Sequence, residues 1–571
     1  MTRSPSGDPT ESTVPFSRRT SQPREIELII PPVRHAAHRW IILLLVSLGL
    51  ESIALFGQWW LSPAVREPAN VLYWVLTASI GFSVFRVVVL WVYYLNLRHE
   101  PSDPIESGPT VDVFTTIMRS EPFDMIVETL DAIQRLEYPH ATYLLDSRWD
   151  DRTEELCRRL GVTRIRSDNV PGAKGGAINN ALRQSSGEIV LVLDPDHVPH
   201  PRFLNYSVAP FVRDPRLGFV QVVQGYYNQN ESFVAAGAAE QTYGYYGPIQ
   251  MGMGGLGVAQ AIGANCTFRR EALESIAGHA CHLAEDMVTA FRLHSRGWRS
   301  VYLPIVAARG LVPSDLASFF RQQYKWATGL FQILFRDVWP WVWGLAWRQR
   351  FVYLVNSTYY FTGLTAAVNL LLVPVFLLFD TWAVTVPVSD FLLHGLPYAL
   401  TSTAIYFYSQ LWIQDRRERG WHWRGMILKI GSWPIFVAGF LSALLGVTVR
   451  YIPTPKTRDD SPQLALVAPH LVIVALSAAA VAVNLAKEFN RGERFIVVLC
   501  LWNILMMLGT VLAANEKPLR KVWRRVWPRR RGTVEETLAS CFDAEAEAGG
   551  SPALRTGQPR NLPHQTAAGD A

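Results

Sequence analysis

Two aspartates separated by one proline follow an apolar run near the middle of the chain. Asp194 and Asp196 come directly after the run Ile189–Leu193. Two carboxylates this close repel each other unless a cation or a hydrogen-bond donor lies between them. Carboxylates, water and substrate phosphates are the ligands that Mg²⁺ and Mn²⁺ prefer. The spacing therefore indicates a divalent metal holding a diphosphate, and the alternative is a solvated turn that caps the next helix.

Two other polar clusters lie in predicted helices further along the chain. The segment HLAEDMVTAFRLHSRGW places Glu285 and Asp286 at the start of an amphipathic helix, where acidic side chains are also favoured simply as first-turn residues. The segment RQQYKWATGLFQIL is one predicted helix directly before a membrane span, and Trp and Lys are common at such interfaces. Its polar and aromatic side chains include Gln322, Gln323, Lys325 and Trp326. Each cluster alone is weak evidence for chemistry.

The elements that must position these residues alternate in type. The apolar runs TYLLD, GEIVLVLD and GFVQVVQ alternate with the helical patterns PFDMIVETLDAIQRL and DDRTEELCRRLG. This alternation predicts βαβ units and an α/β domain with a mainly parallel sheet. Ligands of such sheets bind beyond the carboxyl ends of the strands. Asp146 and the Asp194/Asp196 pair are expected at that edge.

The composition indicates a membrane protein. The chain has 571 residues, of which 49% are apolar, with 20 Trp and 20 Tyr. Its net charge of +6 lies largely in clusters beside apolar runs, which suits an anionic membrane surface better than nucleic acid. The five cysteines are scattered without CxxC spacing, so neither a disulfide framework nor a zinc site is indicated.

Six apolar runs are long enough to cross a bilayer core of roughly 30 Å. They lie near 40–62, 72–97, 350–379, 391–413, 464–486 and 495–514. A seventh run, 427–449, carries Lys429 and Pro434 and is ambiguous by hydropathy. Counting it as a span would put the basic residues after 516 outside, against the positive-inside rule. We therefore interpret it as an interfacial or re-entrant helix, with both termini in the cytosol.

The predicted organisation has five parts. In chain order they are a disordered cytosolic segment (1–38), two transmembrane helices (39–98), a cytosolic α/β domain with interfacial helices (99–345), a transmembrane region containing an interfacial helix at 421–449 and a loop at 450–460 (346–515), and a cytosolic tail that is basic and then disordered (516–571).

Taken together, these segments resemble the processive family 2 glycosyltransferases, the group that contains bacterial cellulose synthase and the hyaluronan, chitin and curdlan synthases. The resemblance runs from about residue 70 to 515. It rests on five motifs in order: Asp146 in YLLDSRWDD, Lys174 in AKGGAINNAL, the Asp194/Asp196 pair followed by His197 as in cellulose synthases, Ala284-Glu285-Asp286 in place of TED, and Gln322-Gln323-Tyr324-Lys325-Trp326 in place of Q-Q/R-x-R-W. The segment YIPTPKTR, 451–458, looks like the gating loop of cellulose synthases.

The resemblance implies a GT-A catalytic domain between membrane helices and a role for each matching residue. It implies Asp286 as catalytic base with Glu285 beside it, a metal, Mg²⁺ or Mn²⁺, on Asp194 and Asp196, and acceptor binding by Trp326 and Cys266. The nucleotide-sugar would contact Asp146, Lys174, Asp194, Gln322, Gln323, Lys325, Thr454 and Lys456. Lys325 replaces the usual Arg, which removes a bidentate fork but retains one positive charge.

The implied function is polymerisation of a UDP-sugar into a β-linked polysaccharide that leaves across the inner membrane from a cytosolic catalytic domain. UDP-glucose is favoured by the segments DPDH and TPK. The alternatives are a chitin- or hyaluronan-type synthase using UDP-N-acetylglucosamine and a nonprocessive enzyme that adds one sugar to a lipid carrier. A nucleotide-binding transporter or receptor ranks last, because the motifs lie outside the spans. The expected partners are the donor, the growing polysaccharide and the bilayer, with an accessory export subunit as a further candidate and no nucleic acid.

Overall fold

The computed structural model describes residues 24–34, 37–100, 103–381, 383–384, 386–449, 455, 463–485 and 491–516. Within them lie ten strands: β1 (Val111–Ile117), β2 (Ala141–Asp146), β3 (Thr163–Arg166), β4 (Ile189–Leu193), β5 (Val198–Pro199), β6 (Leu217–Val222), β7 (Gly225–Tyr226), β8 (Cys266–Arg269), β9 (Arg299–Leu303) and β10 (Ala308–Gly310).

The described residues also form eighteen α-helices. They are α1 (Ala37–Trp60), α2 (Val71–Leu95), α3 (Phe123–Ile133), α4 (Asp151–Leu160), α5 (Ala173–Leu182), α6 (Phe203–Arg213), α7 (Phe233–Gly244), α8 (Gln250–Gly255), α9 (Arg270–Ser275), α10 (Glu285–Ser295), α11 (Leu316–Gln332), α12 (Trp347–Ser357), α13 (Thr362–Phe379), α14 (Val388–Ser409), α15 (Trp423–Gly431), α16 (Trp433–Leu444), α17 (Ala468–Leu485) and α18 (Arg491–Ala514). Short π- and 3₁₀-helical turns connect several of them.

A seven-stranded mixed sheet organises the domain between α2 and α12. Its strand order is β3-β2-β1-β4-β8-β6-β9. The first four strands are parallel to one another, and β9 is parallel to β6. The strand β8 runs antiparallel to both of its neighbours, β4 and β6. The predicted α/β class and mainly parallel sheet are therefore confirmed, and β8 is an antiparallel strand that the alternation of patterns did not reveal.

The core explains why the sequence of β4 is apolar throughout. All five residues of β4 are buried, because helices cover both faces of the sheet. Leu191 and Leu193 pack into a cluster with α3 and α6, whereas Val190 and Val192 pack on the opposite face with α5. A smaller sheet of order β5-β10-β7 lies just after β4 and holds the chain that follows the DPDH segment.

Five helices or helix pairs have the length and composition to span a membrane. They are Ala37–Trp60, Val71–Leu95, Trp347–Phe379, Ala465–Leu485 and Arg494–Ala514. The helix α14 covers the predicted span 391–413 only as far as Ser409, and it is less hydrophobic than the other five because it contains His394, Pro397 and several hydroxyl residues. The pair α15 and α16 is bent by 44°, as for a broken span or a re-entrant loop. Five of the six predicted spans therefore pass by length and composition, the span near 391–413 stays a prediction, and the bent pair, interpreted above as interfacial, would be an additional candidate.

Part of the segment expected to be disordered packs against the domain. Ile29 forms a backbone bridge with Val306, Ile26 is buried, and Arg24 pairs with Glu128. The expectation of disorder over 1–38 is therefore wrong for residues 24–34. Several other predictions lie outside the described residues: Thr454 and Lys456 of the expected gating loop, residues 1–23, and the tail after Glu516.

Candidate active site

A cavity of about 690 Å³ opens at the carboxyl ends of β1, β2, β3 and β4. The chain passes from β3 back to the other side of β1 to form β4, and ligands of open α/β sheets bind at such a switch point. The cavity brings together eight residues that the sequence singled out: Lys174, Asp194, Asp196, Glu285, Asp286, Gln322, Lys325 and Trp326.

Lys174 is held by the first turn of α5. Its side chain is 7% exposed, and its ammonium group pairs with Asp194 and donates to the carbonyl oxygen of Gly263 at 2.5 Å. Burial lowers the pKa of Lys174, but Asp194 and Glu285 outweigh this effect and raise it. The lysine is therefore a fixed cation on one wall of the cavity.

Close backbone packing makes this turn possible. A side chain at Gly176 would overlap the carbonyl oxygen of Pro171, and one at Gly175 would overlap that of Ala280. Gly172 adopts a φ of 96°, a left-handed conformation that favours glycine. The glycines of the segment PGAKGG thus place the amino end of α5 directly against the cavity.

Asp194, Asp196 and His197 form a cluster that fits a divalent metal. One ligand atom from each residue lies within 4.8 Å of the others. The Asp196 Oδ2 accepts a hydrogen bond from the Leu311 backbone N–H at 2.9 Å, which orients the carboxylate. His197 is buried, and neither of its ring nitrogens has a hydrogen-bond partner among the described residues. The two carboxylates suit Mg²⁺ or Mn²⁺, and the imidazole is a further possible ligand beside them.

Glu285 and Asp286 lie at the start of α10 and line the same cavity. Asp286 Oδ1 accepts a hydrogen bond from the Met287 backbone N–H at 2.7 Å. Burial and then the charge of Glu285 raise the pKa of Asp286 from 3.8 to about 7, against the lowering effects of Lys174 and Lys325. A carboxylate with such a pKa is suited to accept a proton near neutral pH.

The third wall of the cavity is α11, which carries Gln322, Lys325 and Trp326. The helix begins at Asp315, whose carboxylate caps it by accepting from the Ser318 N–H at 2.8 Å. On its other side it packs against α16, where the Tyr324 hydroxyl lies 2.7 Å from that of Ser442. A cation and an aromatic ring thus face the acids from a helix anchored at its start and along its outer side.

Three predicted site residues do not line the cavity. The carboxylate of Asp146 is fully buried, and it accepts hydrogen bonds from Arg164 Nε at 2.7 Å and from the backbone N–H groups of Arg148 and Trp149. Gln323 is buried on the inner face of α11. Cys266 lies within β8, where burial and then the charge of Asp286 raise the pKa of its thiol. Asp146 therefore shapes the loop after β2 instead of facing the cavity.

Other cavity residues received no role from the sequence. They follow β1, β2, β3 and β4: Arg119, Ser120 and Glu121, then Ser147, then Asp168 and Asn169, then His197. Arg119 joins two of these loops, because its Nε donates to the Ser147 carbonyl at 3.2 Å and its guanidinium lies 3.9 Å from Asp168. The signal that could have found them is the rule that parallel strands present their carboxyl ends at one edge.

Comparison with known families accounts for most of the described chain. The model of the Glycosyltransferase like family 2 matches residues 109–329, which contain the whole sheet and most of α11. The model named Cellulose synthase matches residues 274–485 and so continues through the predicted membrane region. Residues 109–329 therefore belong to glycosyltransferase family 2, and residues 274–485 are similar to the cellulose synthases of that family. The mixed sheet, with the acidic pair at a strand end, is the catalytic-domain fold of GT-A type.

Curated relatives of this chain are named as cellulose synthase catalytic subunits. It is 31% identical over 330 residues to the cellulose synthase catalytic subunit (UDP-forming) of Pseudomonas fluorescens, covering 52% of the chain and 44% of the relative. It is 27% identical over 347 residues to the corresponding subunit of Xanthomonas axonopodis pv. citri, covering 58% and 47%. The chain therefore spans less than half the length of these relatives.

Solved structures are less similar to this chain in sequence than these relatives are. A mannosyltransferase from Pyrobaculum calidifontis, in complex with GDP-Man and Mn²⁺, is 19% identical and has a TM-score of 0.44, covering 66% of this chain and 99% of its own. A glucosyl-3-phosphoglycerate synthase from Mycobacterium tuberculosis is 20% identical, with a TM-score of 0.28 over 38% of this chain and 78% of its own.

Proposed function

We propose that this protein is a membrane-embedded, processive, inverting glycosyltransferase that polymerises UDP-glucose into a β-linked polysaccharide and exports the product across the inner membrane. The observation that carries the proposal is one cavity in which Lys174 and the Asp194/Asp196 pair face Asp286 and Trp326. The similarity to UDP-forming cellulose synthase subunits supports UDP-glucose as the donor.

The leaving group is a nucleoside diphosphate, whose developing charge must be neutralised. Asp194, Asp196 and His197 would hold Mg²⁺ or Mn²⁺, which as a Lewis acid stabilises the diphosphate oxygens. Lys174 and Lys325 add two positive charges to the same cavity. The side chains that follow β1, β2 and β3 line the same cavity and are our candidates for contacts to the nucleoside.

The acceptor hydroxyl must lose a proton while it attacks the anomeric carbon. Asp286 is the proposed base, since its pKa of about 7 leaves a large ionised fraction at neutral pH. Trp326 offers an apolar ring on which an acceptor sugar can stack. A direct displacement from the face opposite to the diphosphate inverts the anomeric centre, so an α-linked donor yields a β-linked product.

The membrane helices supply the proposed export path. The bent pair α15 and α16 packs against the domain: Gly425 of α15 donates to Glu240 of α7 at 2.7 Å, and Phe436 of α16 packs with Phe331 of α11. These contacts favour an interfacial or re-entrant pair over a span. Thr454 and Lys456 lie outside the described residues, and the family resemblance proposes them as diphosphate contacts of a loop that follows this pair.

Incorporation of radiolabelled UDP-sugars by the purified protein in lipid nanodiscs tests the proposal. With Mg²⁺ or Mn²⁺ we expect UDP-glucose to yield a long polymer whose linkages are β by linkage analysis, and we expect Asp286→Asn to yield less by about 10²-fold or more. Label that extracts into organic solvent as a single sugar on lipid would instead show a nonprocessive enzyme. Incorporation of N-acetylglucosamine and not glucose would overturn the assigned donor.

A further inference from the structure

A second cavity, of about 410 Å³, lies where α1 and α2 meet the catalytic domain. Five basic side chains line it: Arg34, His38, Arg39, Arg98 and His99. It shares no lining residue with the catalytic cavity, and no carboxylate among the described residues lines it. Because one sign of charge surrounds it, this basic cavity favours an anion.

Two of the basic groups are fixed in place on one wall. The Arg34 guanidinium donates to the carbonyl oxygen of Leu411, and its Cζ lies 5.3 Å from the ring centroid of Trp412. His38 Nδ1 lies 2.6 Å from the hydroxyl of Tyr408. Burial of the Arg34 guanidinium lowers its pKa below the usual value. The wall is therefore rigid before any ligand binds.

Further arginines add positive charge near this wall and around the cavity. Arg419 donates to the carbonyl oxygens of Leu411 at 3.1 Å and Ile413 at 2.8 Å, and so lies just behind Arg34. Arg39 is exposed at the rim. Arg98 is also exposed, and its pairing with Glu100, at 2.8 Å, neutralises only one of the charges. The cavity thus has exposed arginines, Arg39 and Arg98, in its lining besides the partly buried Arg34.

The cavity lies at the boundary between water and lipid. Arg34 precedes α1 and Arg98 follows α2, and both helices are candidate spans. Directly beside it on α1, Trp40 is 70% exposed and Leu44 is 60% exposed. An apolar surface next to a basic cavity at the end of two spans offers sites for both parts of a lipid, the headgroup and the acyl chains.

We propose that the basic cavity binds the phosphate headgroup of an anionic phospholipid, with the acyl chains against the exposed apolar face of α1. A free phosphate compound would use the same cations but would gain nothing from Trp40 and Leu44. The proposal does not rest on the glycosyltransferase activity, because the two cavities are built from different residues.

Native mass spectrometry tests this binding on the full chain, extracted from nanodiscs of equal parts phosphatidylglycerol and phosphatidylcholine. We expect the protein to retain phosphatidylglycerol selectively. The double variant Arg39→Ala/Arg98→Ala should retain at least about tenfold less phosphatidylglycerol. The reason is that each arginine near the membrane surface attracts the anionic headgroup, and the variant removes two of them. The double variant Arg39→Lys/Arg98→Lys keeps both charges and should retain most of the lipid.

Arg348→Ala is the matched control, since Arg348 is an exposed arginine at the start of another candidate span and does not line the cavity. It should retain phosphatidylglycerol as the unsubstituted protein does. Equal retention by the alanine double variant and this control would overturn the proposal. So would displacement of the lipid from the unsubstituted protein by excess inorganic phosphate, which would assign the cavity to a free anion. This competition needs no variant, so the proposal stays testable even if a variant fails to fold.

Discussion

At the scale of single residues, the site depends on acids that lie in different electrostatic surroundings. Asp194 pairs with Lys174, which places a positive charge beside its carboxylate. Asp286 instead lies beside Glu285 in a buried position, which opposes ionisation and raises its pKa to about 7. The same side chain type can therefore hold cations at one position in the cavity and exchange a proton at another.

The pH dependence of transfer should report Asp286. A base acts only when ionised, and the pKa of about 7 means that protonation removes activity as the pH falls through that value. We expect kcat/KM for donor incorporation to rise up to about pH 7 and to fall roughly tenfold per unit in the acid limb. Lys174, whose pKa is raised, stays charged throughout. A flat profile across this range would exclude Asp286 as the base.

Substitutions of the two kinds of acid should have separable effects. Asp286→Asn keeps the shape but cannot accept a proton, so polymer formation should fall by about 10²-fold or more while UDP binding persists. Asp196→Ala should weaken metal-dependent UDP binding, measured by calorimetry with and without Mg²⁺. Synthesis by the Asp286→Asn protein at the unsubstituted rate would refute the assignment, as would UDP binding by Asp196→Ala with unchanged metal dependence.

At the scale of elements, the amino end of α5 must approach two other segments closely. Gly175 and Gly176 have no Cβ, so the turn can lie against the carbonyl oxygens of Ala280 and Pro171. The segment that contains Ala280 leads directly into α10, which carries Asp286. The packing of this turn therefore sets the separation between the lysine and the base.

Gly176→Ala should disturb this arrangement. Its new methyl group would overlap a backbone oxygen that cannot rotate away, a strain we expect to cost about 1–3 kcal/mol. Thermal unfolding monitored by fluorescence should show a lower midpoint, and UDP binding should weaken because Lys174 moves. Gly81→Ala in α2 is the control, since a Cβ there meets nothing within 4 Å. Equal midpoints for the two variants would contradict the packing argument.

At the scale of the whole molecule, the topology depends on the bent pair α15 and α16. The pair has the combined length and hydropathy of a span, but its 44° bend separates two short helices. Both helices contact the catalytic domain, α15 through α7 and α16 through α11. Because a helix cannot both cross the bilayer core and cover a water-facing domain along its length, we favour the interfacial arrangement.

Cysteine accessibility tests this topology. In a cysteine-free background, single cysteines at Pro455, at Arg520 and at the C terminus should all be protected from a membrane-impermeant maleimide applied to intact cells. All three should react once the cells are permeabilised. Reaction at position 455 in intact cells would make the bent pair a span and reverse the orientation of every later segment.

The sequence alone determined the class of the fold and named eight of the residues that line the cavity. Apolar runs of four to six residues such as Ile189–Leu193, alternating with amphipathic helices, suffice to predict a parallel α/β arrangement because buried parallel strands are apolar on both faces. Asp194 and Asp286 were likewise recognisable, since each lies at an element boundary that local patterning defines, whereas Lys325 was recognisable within the predicted polar-aromatic helix.

Only the tertiary structure decided which of these groups face one another. Asp146 looked equivalent to Asp194, since both end a strand, but Arg164 and two backbone N–H groups take up its carboxylate. Conversely, Arg119, Asp168 and His197 join the cavity through loops that local patterning does not position. The difference arises because local periodicity sets the type of an element, whereas the direction of a side chain at its end depends on partners far away in the sequence, as when Leu311 orients Asp196.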